Sequence, residues 1–593
     1  MPETKKDTIT GKAFDFKLFK RVLFYVKPYK RKFIWAITQT FILSFISIAT
    51  PLIIMYIINV CIPNKDEKML LYMTLTGIGV LILQALLQFS NGYLTSWLGQ
   101  TIIKDIRVQI YRHIISLRAK YFDNTPIGQM VTRTISDIEA ISDIFSQGFI
   151  VIMGDILTLL VFIIAMFLVN WKFALAVMAS VPLLLFATYI FKNSVKASFQ
   201  DVRTQVARLN TFVQEHITGM KIVQIFNREK AEYEKFTKIN ALHRDANVRS
   251  VFSYSVFFPV VEILLSVSIG LLVWKAGSEM FHWDVEAGEV TFFLMLTNMF
   301  FRPIRMLADR VNVLQMGMVA SERVFRVLDT KETNLDNGKI EAQNISGETE
   351  FKNVWFAYND ENYVLKDVSF KVNKNETVAL VGATGSGKTS IINLLNRFYE
   401  YNEGEIKIDG VSIRDYTLDS LRRNIAVVLQ DVFLFSDTIA NNISLNNSEI
   451  TREKIVEASK AVGAHDFIMK LPGNYDYNVM ERGAMLSVGQ RQLIAFVRAY
   501  VYNPKILVLD EATSSIDTEA EIFIQKATEK LTENRTSIVI AHRLATIQRA
   551  DKILVLDHGK IIESGNHQEL LKQNGQYKKL FELQFKGENI ILQ

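Results

Sequence analysis

Six stretches of the sequence, at about residues 33–58, 69–97, 148–170, 172–192, 251–275 and 287–309, are predominantly apolar. Each is close to the ~20 residues that a helix needs to cross a ~30 Å hydrocarbon core. The run Leu160 to Leu168 is apolar on every side of a helix, a pattern suited to lipid. All six runs lie in the first part of the 593 residues, and the remainder reads as ordinary globular sequence. The chain is therefore expected to be a multi-pass integral membrane protein carrying a separate soluble domain.

The flanking charges orient it. Residues 17–32 carry Lys17, Lys20, Arg21, Lys27, Lys30, Arg31 and Lys32 with no acidic residue, so the positive-inside rule places this end in the cytoplasm. The segments 98–147 and 193–250 are rich in Lys and Arg, whereas the connections near 59–68, 171 and 276–286 hold few. Six crossings return the chain to the cytoplasm near residue 310. The net charge of +6 then reflects membrane topology, and no nucleic-acid partner is expected. The charged stretch ahead of the first run does not fit a cleavable signal peptide. Phe14, Leu18, Val22 and Tyr25 share one face of a basic interfacial helix. Cys61 is the single cysteine, which excludes an intrachain disulfide but leaves open packing, lipid contact or a bridge between two copies.

The chain divides into a cytoplasmic N-terminus with its interfacial helix over 1–32, a six-helix membrane domain over 33–320, a polar linker over 321–345 and a nucleotide-binding domain over 346–593. The two long cytoplasmic loops are helical in pattern, and the simplest geometry continues the membrane helices past the bilayer. From Phe351 onward, short strands alternate with helices, as in an α/β domain with a parallel sheet.

In that domain, Gly382-Ala383-Thr384-Gly385-Ser386-Gly387-Lys388-Thr389 fits G-x-x-x-x-G-K-[ST]. It follows the apolar run Thr377 to Val381 and leads into a helix through Ser390. Glycines there turn backbone N–H groups inward on phosphates, Lys388 adds a point charge, and the Thr389 hydroxyl is suited to magnesium. A bland Gly-rich turn is the competing reading, and the strand before and helix after argue against it. The run Ile506 to Leu509 is a buried strand ending in Asp510 and Glu511. In a P-loop enzyme, the strand beside the phosphate loop ends in an Asp that helps hold magnesium, and a neighbouring acid polarises the attacking water. Asp510 suits the first role, through water, and Glu511 the second; two solvated acids at a strand end are the alternative.

With these motifs the nucleotide-binding half resembles an ABC ATPase, and nearly the whole chain resembles an ABC exporter half-transporter. The resemblance implies that Tyr358, in Val354 to Tyr358, stacks on adenine. It implies that Gln430 touches magnesium and the attacking water where the membrane domain docks, and that His542 contacts the terminal phosphate. Leu486-Ser487-Val488-Gly489-Gln490 resembles the signature loop that caps ATP on the opposite subunit. Val488 stands where the family has Gly and requires an extended or helical backbone unless strained, leaving Ser487 and Gly489 able to donate. Asp517 matches the acid of the loop crossing the dimer interface, and Met480 replaces another family Gly beside Glu481. Phe122 to Ile141 and Gln214 to Glu229 resemble the two coupling loops. ATP and Mg2+ are the implied cofactors, and a second half-transporter, identical or related, is the implied partner. The implied location is the bacterial plasma membrane, with the ATPase domain in the cytoplasm.

Charges at membrane depth are costly, about 2.5–3.5 kcal/mol each on the mildest scale, so Glu262, Asp155, Arg302 and Arg305 are expected to face inward. Glu262 and Arg302 are read either as part of a polar translocation path or, for Glu262, as a clamp to Arg302 or Arg305. The expected function is ATP-driven export or flipping of a hydrophobic or amphipathic, drug- or lipid-like compound. A narrower substrate such as a peptide or lipid-linked glycan is the alternative, and an ATP-gated channel or regulator a third.

Overall fold

The structure, a computed structural model, describes residues 15–280, 285–332, 336–359, 362–511, 518–541 and 543–585. Phe14, Asp517 and His542 lie outside the described residues, as does the side chain of Glu511. Contacts divide the chain into two units, one built from 15–115 and 126–331 and the other from 116–125 and the residues from 332 onward.

The first unit is helical. Five stretches among the described residues are long and apolar enough to cross a membrane: Lys27–Cys61, Glu67–Ser116, Ile127–Val169, Trp171–Thr218 and Glu229–Ser278. The sixth apolar run falls in the 42-residue helix Ala287–Leu328, which is not among the five. Asn298, Arg302 and Arg305 dilute its apolar character. The helices Glu67–Ser116 and Glu229–Met280 run for 50 and 52 residues, more than twice what a bilayer needs, so both extend well beyond it. Large apolar side chains such as Phe89 and Trp274 on these helices, and Leu168 on the helix Ile150–Val169, point outward, as lipid-facing residues do. Cys61 is buried and has no disulfide partner.

The basic helix Phe16–Phe24 begins at Asp15, whose carboxylate accepts from the Lys17 and Leu18 N–H groups. Its inward face is set by Phe19, Val22 and, just past its end, Val26, while Leu18 and Tyr25 are only half-buried. The expected face is thus rotated by about one residue, because Phe19 packs against Phe149 with ring centroids 5.0 Å apart.

The second unit holds two sheets. Strands β1 (Thr349–Ala357), β2 (Tyr363–Val372), β4 (Glu403–Ile408) and β5 (Val411–Ser412) form an antiparallel sheet in the order β2-β1-β4-β5. Strands β3 (Thr377–Val381), β6 (Ile425–Val428), β7 (Ile506–Glu511), β8 (Thr536–Ala541), β9 (Lys552–Asp557) and β10 (Lys560–Gly565) form a second sheet ordered β10-β9-β3-β8-β7-β6. It is parallel except for β10. The expected parallel sheet is therefore joined by an antiparallel one. Side-chain alternation explains the apolar strands: Val378 and Leu380 enter one core cluster, and Ala379 and Val381 enter the other. Ile506 and Val508 divide from Leu507 and Leu509 in the same way, so both strands are covered on both faces.

Candidate functional site

The phosphate loop leaves β3 at Val381 and enters the helix Lys388–Leu395. Two glycines are required by its path. A Cβ at Gly382 would meet the Leu556 carbonyl oxygen at 2.2 Å, and Gly387, at φ +107°, would meet Leu365 at 2.6 Å. The turn between β9 and β10 braces the loop, with the Gly559 N–H donating to the Ser386 carbonyl at 3.2 Å. Thr389 and the loop tip Ala383-Thr384-Gly385 are exposed, whereas Ser386, Gly387 and Ser390 are buried.

Lys388 is 8% exposed, and its Nζ donates to the carbonyls of Gly382 and Ala383 at 2.7 and 2.9 Å. Burial lowers its pKa from the ordinary lysine value, and the negative charge of Asp510 opposes that shift. Asp510 therefore lies within the electrostatic reach of the loop lysine. It does so from one strand away: β8 separates β7 from β3, with Asp510 paired to Ile540 and Glu511 to Ala541. The strand carrying the carboxylates is thus not the immediate neighbour of the phosphate-loop strand.

Tyr358 follows β1 directly and is half-buried. Its hydroxyl lies 3.1 Å from Ser390 Oγ and accepts from Asn393 Nδ2 at 3.2 Å, which ties this ring to the phosphate-loop helix. The structure thereby brings Tyr358, Ser390, Lys388 and Asp510 into one neighbourhood.

Gln430 lies just beyond β6 and is exposed. With Asp431, Val432, Val488, Arg491 and Gln492 it borders a cleft of about 90 Å³ that includes no residue of the phosphate loop. Ser487 caps the helix Val488–Val501: its Oγ accepts from the Gln490 N–H at 3.2 Å, and its own N–H donates to Gln490 Oε1 at 3.0 Å. Val488 takes helical geometry and is 45% exposed, and Gly489 is buried. Met480 does the opposite of what its side chain prefers, with φ +58° and ψ −172°.

In the membrane part, Glu262 pairs with Arg305 at 2.5 Å, joining the helices Glu229–Met280 and Ala287–Leu328. Arg302 is exposed. A second pair, Asp155 with Arg310, joins the helix Ile150–Val169 to the same partner helix. Sequence reasoning did not find Arg310, whose only signal is a third arginine five residues after Arg305. It also missed Tyr399, which lies against Tyr358 with ring centroids 4.8 Å apart. The aromatic cluster Phe398-Tyr399-x-Tyr401 just after the phosphate-loop helix was the available hint.

A family model described as ABC transporter transmembrane region matches residues 33–304, and one described as ABC transporter matches residues 365–514. The chain is 36% identical over 582 residues to the uncharacterized ABC transporter ATP-binding protein YknV of Bacillus subtilis (strain 168), covering 98% of this chain and 96% of that protein. It is 38% identical over 529 residues to the ATP-dependent lipid A-core flippase of Haemophilus influenzae (strain 86-028NP), covering 88% and 90%. Among solved structures, a bacterial Atm1-family ABC exporter with ATP bound matches with a TM-score of 0.75 and 26% identity, over 94% of this chain and 98% of that one.

Proposed function

The chain belongs to the ABC transporter family as an exporter-type half-transporter, an integral membrane protein whose ATPase is coupled to transport, and from that premise we propose that it moves a hydrophobic or amphipathic compound across a bacterial plasma membrane as a dimer. The domains are a membrane domain over 33–320, a linker over 321–345 and an ATPase domain over 346–593 that works in the cytoplasm. Lipid-like substrates are favoured by the relative named as a lipid A-core flippase. The bacterial location is supported by the bacterial relatives and by the basic charges before the first span.

The observation that carries the reading is the phosphate loop itself, with buried Lys388 inside the field of Asp510. Loop N–H groups and Lys388 hold the ATP phosphates, and Tyr358 stacks on the base. The Thr389 hydroxyl, the Asp510 carboxylate acting through water and the Gln430 amide oxygen form an all-oxygen donor set, which fits magnesium, an ion that keeps several waters and needs few protein ligands. Bound there, it would neutralise charge on the phosphate oxygens. Glu511 polarises the attacking water, and His542 contacts the terminal phosphate. Ser487, Val488, Gly489 and Gln490 cap the ATP of the partner copy, with Asp517 at the interface between copies. Arg302 lines the path through the membrane domain, and Glu262, paired with Arg305, braces it.

Two substitutions test this. Lys388→Ala should weaken ATP binding by about 10-fold or more, since a charge-assisted phosphate contact is lost. Glu511→Gln should retain ATP binding while slowing hydrolysis by about 10²-fold or more. Unchanged ATP affinity in the first, or wild-type turnover in the second, would sink the assignment.

A further inference from the structure

Tyr358 and Tyr399 form an aromatic corner with Phe356. The Tyr399 ring meets Tyr358 edge-on, at 88° and 4.8 Å between centroids, and Phe356 packs on both, at 4.7 Å from Tyr358 and 5.8 Å from Tyr399. Tyr399 is 8% exposed. Its hydroxyl donates to the carboxylate of Asp123, in the short helix Ala119–Asn124. That helix belongs to the segment 116–125, part of the same compact unit as the ATPase domain although it is far away in sequence. Lys120, Asp123, Asn124, Asn359 and Asn393 complete a polar cleft of about 310 Å³ around the two tyrosines. Burial, helped by the Asp123 charge, raises the Tyr399 pKa, so its hydroxyl stays a donor across the physiological range.

Half-buried Tyr358 is thus held both at its hydroxyl and at its ring. Ser390 and Asn393 hold its hydroxyl, and Phe356 and Tyr399 hold its ring. A stacking platform contributes affinity only if its plane is set before the base arrives, because ordering it on binding costs conformational freedom. We propose that Asp123 and Tyr399 are positioning residues for the Tyr358 platform, so that the short helix Ala119–Asn124 sets how tightly the nucleotide base is held. The inference rests on the reading of Tyr358 as the base platform, and it adds a control point in a segment outside the nucleotide motifs.

The test measures steady-state hydrolysis by the full-length protein in lipid, with ATP and with UTP, whose smaller base gains less from stacking. Tyr399→Phe and Asp123→Asn should each raise the KM for ATP by about 3- to 10-fold, with kcat changed by less than about 2-fold and the KM for UTP nearly unmoved. The double substitution should be no worse than either single one, because both break the same link. Tyr358→Ala is the reference and should raise the KM for ATP at least as much. If Tyr358→Ala leaves that KM unchanged, the platform reading itself fails. If Tyr358→Ala raises it while Tyr399→Phe and Asp123→Asn do not, the positioning role is overturned. Equal losses of kcat with ATP and UTP, or additive effects in the double variant, would also overturn it, leaving a purely structural contact.

Discussion

Arg21 grips Asp329 with both terminal guanidinium nitrogens, at 2.6 and 2.7 Å, and its guanidinium lies 4.2 Å from the centre of the Phe325 ring. The contact fastens the N-terminal basic helix Phe16–Phe24 to the end of the helix Ala287–Leu328, where the chain leaves the membrane part. Tyr25, bonded to Gln109, stacks on the same Phe325, and His113 reaches the Thr330 carbonyl next door. The basic helix is thus fixed to the C-terminal end of the helix Ala287–Leu328.

The Arg21 guanidinium holds the Asp329 carboxyl below the usual carboxylate range. Its stabilising effect is present above the ordinary carboxylate pKa and disappears as pH falls through the lowered value, below about pH 4. Both side chains are substantially exposed, so the effect is discounted to less than about 1 kcal/mol and weakens with salt. Asp329→Asn at neutral pH should speed hydrogen exchange of the amides in Phe16–Phe24 by a few-fold. Unchanged exchange there would mean that apolar packing through Phe19 and Val22 holds the helix alone.

Met480 occupies a backbone region that is nearly glycine-only, and strain of that kind costs about 1–3 kcal/mol. Glycine has more freedom to lose on folding, about 0.5–1 kcal/mol, so relief should win narrowly. Met480→Gly should therefore stabilise the protein by about 1 kcal/mol and raise its melting temperature by a few degrees. A lower melting temperature would show that the exposed Met480 side chain makes a contact worth more than the strain.

Glu262 was open between a path-lining role and a clamp, and its pairing with Arg305 supplies the geometry of a clamp. Glu262→Gln should leave Arg305 without its carboxylate and destabilise the protein by about 1–3 kcal/mol, most of which Arg305→Gln in the same protein should restore. Additive losses would show that the two side chains act independently.

The membrane character was legible because lipid demands long apolar runs, and the phosphate loop because its spacing is local. The sixth run was less clear in the structure, since Asn298, Arg302 and Arg305 interrupt its apolar character. The order of the parallel sheet could not be read: β3 and β7 are each buried on both faces, so nothing in the run Ile506 to Leu509 says that β8 sits between them. The ion pair of Asp155 with Arg310 and the hydrogen bond of Tyr399 to Asp123 join residues far apart in sequence, and pairing at such range leaves no periodic trace. Met480 went against its own propensity, which sequence reasoning flags only as a departure from the glycine of related chains.

The most direct test of ATP-driven export is reconstitution into sealed lipid vesicles with the ATPase domain outward. Accumulation of an amphipathic fluorescent dye and the inward flipping of a fluorescently labelled phospholipid would be followed on adding ATP. The account predicts ATP-dependent movement of at least one of these probes, abolished by Lys388→Ala. ATP-dependent ion conductance with neither probe moved would contradict it.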